Sequence, residues 1–145
     1  MKTRIWFLAG GMALAMTAGA AAQAVDPAKV TQPEGVELHQ GDEAALVEKG
    51  KALYSDTSLG ESGLACSNCH QNFGQYRATF KKPYPHAVNM AKGKAGLDEV
   101  NAAEMVQLCM VVPMQTEPLD WKSEELAALT AYVKDERKRF AAQSE

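Results

Sequence analysis

The chain is poor in cysteine and lacks a basic stripe, and each shortage removes a class of protein. Of its 145 residues three are cysteine, and there is no second Cys or His pair of the kind that a four-ligand zinc site requires. The formal net charge is −3, with no basic stripe interleaved with aromatic residues, which argues against nucleic acid as a partner. Repeats and low-complexity tracts are also absent, and a chain of this length predicts one domain.

The first 24 residues are typical of an export signal. Lys2 and Arg4 precede an apolar segment at 5–18, and Ala22-Gln23-Ala24 is a small-x-small cleavage site. The apolar segment is shorter than the roughly 20 residues that span a bilayer, so a cleaved signal peptide is favoured over a retained membrane anchor. We predict that residues 1–24 are removed, that the protein is periplasmic, and that no membrane span remains.

Two of the three cysteines lie in the sequence Cys66-Ser67-Asn68-Cys69-His70, whose spacing is typical of c-type haem attachment. Two thiols about one helical turn apart can each add to a haem vinyl group, and the adjacent histidine then lies under the iron. A thioredoxin-like redox pair would instead lie in a βαβ context, which is lacking. The sequence predicts one covalently bound haem c, held by Cys66 and Cys69, with His70 as the proximal axial ligand.

The remaining chain predicts helices around this motif. Residues 25–41 contain two prolines and two glycines and read as an N-terminal linker, in which His39 is expected to be solvated. Residues 42–145 are predicted to form a monohaem domain. Its expected fold is all-α and cytochrome c-like, with N- and C-terminal helices packed around the haem.

Three helices are predicted in this domain. The first begins after Asp42 and carries Gly50 on its apolar stripe, where a missing side chain would permit a close helix crossing. A middle helix is expected over residues 98–109. The last follows Ser123, a good N-cap, and Tyr132 on that helix is expected to pack over Gly50.

The residues alone do not identify the distal ligand. Cys109 has no disulfide partner left within the chain, so it is either buried, paired with another chain or bound to metal. Met114 lies in the loop before the last helix, where ordinary class I cytochromes place a methionine ligand. Met110 and His86 are weaker alternatives, because Met110 directly follows the middle helix and His86 lies in a proline-rich segment.

From Val47 through the Cys66–His70 motif to the last helix, over roughly residues 45–135, the chain resembles a haem domain of the SoxA cytochromes. Those proteins are the thiosulfate-oxidising subunits of a periplasmic sulfur-oxidation system. The most specific matches are Leu108-Cys109, the run 117–133 and Tyr84-Pro85. The resemblance implies that Cys109 supplies a thiolate to the iron, which favours Cys109 over Met114 and over a vacant distal site.

The expected function is therefore that of an exported monohaem cytochrome with His/Cys ligation and low potential. It would carry single electrons rather than act as an enzyme, and it would be linked to sulfur-compound oxidation. A redox partner protein is expected, and the resemblance suggests a second small cytochrome. Two alternatives are an NO- or CO-binding sensor and the haem subunit of a thiosulfate-oxidising enzyme. SoxA proteins carry a further haem domain, and this chain is expected to be too short to contain one.

Overall fold

The computed structural model describes residues 24–143, and within that range the fold is all-α, as predicted. Its only pairing of strand type is an isolated antiparallel bridge between His86 and Val100. None of the helices in residues 24–143 is long and apolar enough to cross a membrane. The predicted signal peptide lies outside the described residues, apart from Ala24 at its end.

Helices and short 3₁₀ turns alternate with loops along the described chain. The helices are α1 (Pro27–Val30), α2 (Glu43–Tyr54), α3 (Cys66–His70), α4 (Asn89–Ala95), α5 (Ala102–Val111) and α6 (Glu124–Ala141), and the 3₁₀ turns are Gln71–Phe73 and Ala78–Lys81.

Helices α2 and α6 form the central pair of the fold. Each begins where an oxygen-bearing N-cap was predicted: the Asp42 side chain accepts a hydrogen bond from the Ala45 amide, and Ser123 accepts one from the Leu126 amide. A Cβ atom at Gly50 would lie 2.1 Å from the Ala128 carbonyl oxygen and 2.7 Å from the Tyr132 Cβ. The predicted close crossing at Gly50 is therefore present.

Helix α5 begins later than the sequence predicted, at Ala102 instead of residue 98. Asn101 is the N-cap and exchanges hydrogen bonds with Glu104 in a capping box. Residues 98–100 are held outside the helix because Val100 pairs with His86. The helix also runs on to Val111, so Cys109 lies within its last turn rather than at its end.

Residues 25–41, predicted as a linker, pack against the domain. Val30, on the short helix α1, is fully buried in the core, and the Val25 amide donates to the Lys94 carbonyl at 2.8 Å. The Gln32 amide donates to Glu104 on α5 at 3.0 Å. One buried apolar side chain and two backbone hydrogen bonds hold a segment that composition alone identifies as loop. His39 is exposed, as predicted.

Candidate haem site

The Cys66–His70 motif forms the short helix α3. The Asn68 side chain accepts a hydrogen bond from the Ala65 amide at 2.7 Å, and the Asn68 amide donates to the Ala65 carbonyl at 3.1 Å. This reciprocal pair closes the turn, and residues three apart on a helix share one face. Cys66 is half-buried, Cys69 is exposed, and both thiols are free.

A tight turn after α3 orients the His70 ring. The Nδ1 atom of His70 lies 3.0 Å from the Gly74 carbonyl oxygen. A carbonyl oxygen only accepts hydrogen bonds, so Nδ1 carries the proton and Nε2 keeps its lone pair free for a metal. This is the arrangement that a metal-ligating histidine requires.

The geometry of this turn depends on Gly74, which the sequence pattern did not single out. A Cβ atom at Gly74 would lie 2.7 Å from the Cys69 carbonyl oxygen. Around it, Asn72, Phe73 and Gln75 adopt φ angles of 54°, 60° and 60°, in the left-handed region that non-glycine residues rarely occupy. Backbone strain of this kind concentrates at functional sites.

Three cavities bring His70 and Cys109 together, because both residues line every one of them. The largest has a volume of about 510 Å³, within the roughly 300–1,000 Å³ typical of cofactor clefts. Apolar and aromatic side chains dominate the cavity that is walled by α2, α3, α5 and α6, including Tyr54, Tyr76, Phe80, Met105, Val106 and Leu129. The structure thus brings residues 39 positions apart in the sequence to one cleft with a largely apolar interior.

Helix α6 supports this cleft through a chain of aromatic rings. Tyr76 contacts His70 edge-on, with ring centroids 5.3 Å apart, and stacks on Phe80 at 4.9 Å. Phe140, near the end of α6, contacts Tyr76 at 5.1 Å. The C-terminal helix therefore contributes to the position of the His70 ring through Tyr76.

Cys109 faces the cleft from the last turn of α5. Burial raises the pKa of its thiol to about 12, with a smaller contribution from Cys66 and Cys69. Without a metal the sulfur is thus a neutral thiol at physiological pH. A bound cation reverses this preference, since a coordinating thiol is deprotonated outright.

Met114 belongs mainly to the protein core. Its side chain is 2% exposed and packs in a cluster with Met110, Leu126 and Leu129. It lines only the smallest of the three cavities, of about 20 Å³. Its backbone is also tied down, since the Ser62 amide donates to the Met114 carbonyl at 3.1 Å.

The two weaker ligand alternatives lie away from the cleft. Met110 is 1% exposed, within the core, and His86 is 2% exposed. Neither lines any of the three cavities. His86 instead stacks on Tyr84, with ring centroids 4.3 Å apart, and its backbone pairs with Val100.

A buried hydroxyl without a hydrogen-bond partner bears on whether the residues of the cleft suit a haem. The Tyr84 hydroxyl is buried without a hydrogen-bond partner, and Tyr84 lines the cavity walled by α2, α3, α5 and α6 beside His70 and Cys109. A buried hydroxyl left unpaired costs about 1–3 kcal/mol. A haem offers apolar faces to the aromatic wall and carboxylate acceptors to such a hydroxyl, so the residues present suit this group.

A helical domain with a CxxCH helix, a histidine whose Nε2 is free and an apolar cleft beside them defines a c-type cytochrome domain. A family model described as the SoxA/TsdA cytochrome c domain matches residues 49–139. The match covers more than half of the chain, and the chain belongs to this family, which confirms the predicted resemblance. Membership implies covalently bound haem c. No curated protein matches the chain, and no solved structure does.

Proposed function

We propose that this chain is an exported monohaem c-type cytochrome that transfers single electrons in the periplasm. In this proposal Cys66 and Cys69 hold the haem, and His70 and Cys109 are its axial ligands. The observation that carries the proposal is the cleft itself, because His70 and Cys109 line all three of its cavities while Met114 lines one. Secreted cytochrome c domains typically work in the periplasm.

Each of these residues has a separate task. Cys66 and Cys69 tether the cofactor from one helical face, and the Gly74 carbonyl holds His70 in the tautomer that leaves Nε2 free. The apolar wall formed by residues such as Met105 and Leu129 keeps water out. When bound, haem c supplies a one-electron ferric/ferrous couple.

The distal ligand sets the potential of that couple. An anionic thiolate stabilises ferric over ferrous iron more than a neutral thioether does, so Cys109 ligation gives a low midpoint potential. For a one-electron couple about 59 mV changes the equilibrium tenfold. The choice between Cys109 and Met114 therefore decides which proteins can donate electrons to this one.

Replacing Cys109 with methionine tests the proposal by potentiometry. We expect the midpoint potential of Cys109→Met to rise well above that of the unaltered protein, because a neutral ligand replaces an anion. Met114→Leu is the matched control and should leave the potential unchanged. An unaltered protein with a high potential that Cys109→Ala does not move would contradict the proposed ligand.

Family membership supports a place in sulfur-compound oxidation. We infer that the chain carries electrons within that system rather than performing the sulfur chemistry. Purified protein should then remain oxidised when thiosulfate alone is added, as read from the absorption of its haem. Direct and rapid reduction by thiosulfate would show instead that the chain is the haem subunit of an enzyme.

A further inference from the structure

The positive charge of this chain is concentrated in the segment that surrounds the cleft. Residues 62–97 contain four lysines, one arginine and no aspartate or glutamate, whereas the whole chain has 18 acidic and 15 basic residues. This segment includes α3, the second 3₁₀ turn and α4. Outside this segment the chain has 18 acidic and 10 basic residues, so the segment is a local concentration of positive charge in an acidic protein.

Exposed cations lie at the edge of the largest of the three cavities that His70 and Cys109 line. Arg77 is exposed and lines that cavity together with the exposed Cys69. Lys82 is also exposed and directly follows the 3₁₀ turn whose residues form one wall. Among the ion pairs of residues 24–143 none uses Arg77 or Lys82, while Lys92 on α4 is paired with Asp98.

An apolar spot adjoins this cationic edge. Leu64, at 38% exposure, is the exposed large hydrophobic residue of the described chain. It lines a cavity with Cys69 and Pro113, and those two residues also line the largest cavity beside Arg77. Cys69 lines both cavities and is exposed, so it links the apolar spot to Arg77, and a haem attached to Cys69 would be held at an exposed residue.

We propose that this surface, defined by Leu64, Cys69, Arg77 and Lys82 and here called the cleft mouth, docks an acidic face of the partner protein that exchanges electrons with the haem. The proposal rests on the proposed function and specifies the chemistry of its partner. Complementary charge guides encounter and raises association rates. A small apolar centre with a charged rim is typical of protein interfaces.

The sign of a salt effect tests the proposal, because the whole protein and the cleft mouth have opposite charges. The probe is hexacyanoferrate(III), an anion, which oxidises the reduced holoprotein in a stopped-flow instrument. Salt from about 0.01 to about 0.15 M shortens the Debye length from about 30 to about 8 Å. If the cleft mouth governs encounter, the rate falls with salt. If the net charge governs it, the rate rises.

Charge reversal locates the effect. The variant Arg77→Glu/Lys82→Glu should slow the reaction about tenfold or more at low salt and reverse its salt dependence. The control Lys51→Glu/Lys138→Glu makes the same charge change at exposed positions on α2 and α6 that line none of the cavities. It should change the rate much less. Equal slowing in both variants would overturn the proposal.

A readout without electron transfer separates docking from haem effects. Hexacyanochromate(III), a paramagnetic anion, should broaden the amide nuclear magnetic resonance signals of residues around Arg77 and Lys82. Poly-L-glutamate should compete with this anion and remove the broadening, whereas sulfate at the same charge concentration should not. Equal competition by sulfate would indicate a small-anion site and overturn a protein-docking surface. A shift in midpoint potential in Arg77→Glu/Lys82→Glu, with unchanged salt dependence, would instead place these cations at the haem.

The two proposals fail in different ways. A protein that lacks a reducible covalent haem contradicts the proposed function. A reducible haem whose oxidation by the anion accelerates with salt contradicts the cleft mouth alone.

Discussion

The hydrogen bond between His70 and Gly74 shows how one residue without a side chain can determine the chemistry of another. The Gly74 carbonyl oxygen lies 3.0 Å from the His70 Nδ1 atom and keeps the proton on that nitrogen. The Cys69 carbonyl approaches Gly74 so closely that a Cβ atom at Gly74 would have no room. The turn therefore presents Nε2 to the cleft before any cofactor arrives. Such preorganisation reduces the reorganisation that metal binding would otherwise require.

The thioether assignment predicts a covalent adduct that depends on two residues. Mass spectrometry of the denatured protein from the periplasm should show one haem per chain, because thioether bonds survive unfolding. Cys66→Ala/Cys69→Ala should lose all bound haem after denaturation, while Cys109→Ala should keep it. An adduct that persists in the double variant would show that the haem, if present, is attached elsewhere.

The site residues differ in how far the sequence could identify them. The spacing of Cys66, Cys69 and His70 is determined by the chemistry of attachment, so it can be read directly. Cys109 and Met114 lie five positions apart in one apolar stretch, so the local sequence pattern does not show which of them is the ligand. Tertiary structure distinguishes the two residues. Helix α5 places Cys109 at the cleft, whereas contacts from the loop at 60–62 hold Met114 in the core.

At the scale of elements, the crossing of α2 and α6 makes Gly50 indispensable. Gly50→Ala would gain about 1 kcal/mol of helix propensity, but its Cβ would lie 2.1 Å from a backbone oxygen. Overpacking of this kind costs about 1–3 kcal/mol or more, so the free energy of unfolding should decrease. Denaturant titration followed by circular dichroism measures the change.

Gly93 on α4 is the matched control for that experiment. A Cβ there would meet nothing within 4 Å, so Gly93→Ala should be neutral or stabilise the protein by about 0.4–1 kcal/mol. If both glycine variants behaved alike, helix propensity rather than the crossing would govern the effect.

A pair of ionic contacts also joins the two helices. The Lys49 Nζ atom lies 2.7 Å from Glu124 and 2.9 Å from Glu125, and Lys49 lowers the pKa of Glu125 while the two carboxylates raise the pKa of Lys49. A lowered carboxyl pKa adds stability above the ordinary pKa and loses it as the pH falls. The benefit should therefore be present at pH 7 and vanish in acid.

Thermal unfolding of Lys49→Met tests this contact. The melting temperature should fall slightly at pH 7, since exposed ion pairs contribute little. The difference from the unaltered protein should disappear as the pH drops through the range where Glu125 is protonated. Lys51→Met, on the same helix, is the control and should show no such pH dependence. A deficit that persists in acid would mean that Lys49 acts through packing.

The elements themselves were largely predictable, and their ends were less so. The caps at Asp42 and Ser123 are local signals, and helices began there. The start of α5 and the packing of α1 depend on contacts with distant residues, the His86 bridge to Val100 and the burial of Val30. Helical periodicity does not reveal such pairings, so these features required the structure.

At the scale of the whole molecule, the helices meet around a cleft whose interior is apolar and whose mouth is cationic. The deep wall receives residues from α2, α3, α5 and α6, so filling it would join elements far apart in the chain. A bound haem should therefore stabilise the fold as well as supply the redox couple. Because the rest of the chain has more acidic than basic residues, the positive charge of the cleft mouth is opposite in sign to that of the whole protein.

In the proposed site, His70 and Cys109 are the two axial ligands of the haem iron. Electron paramagnetic resonance and optical spectra of the ferric protein, recorded beside Cys109→Ala and Met114→Ala, test this assignment most directly. We expect a thiolate-type low-spin signal that Met114→Ala retains and Cys109→Ala loses. A signal that survives in Cys109→Ala and is converted only in Met114→Ala would contradict the assignment.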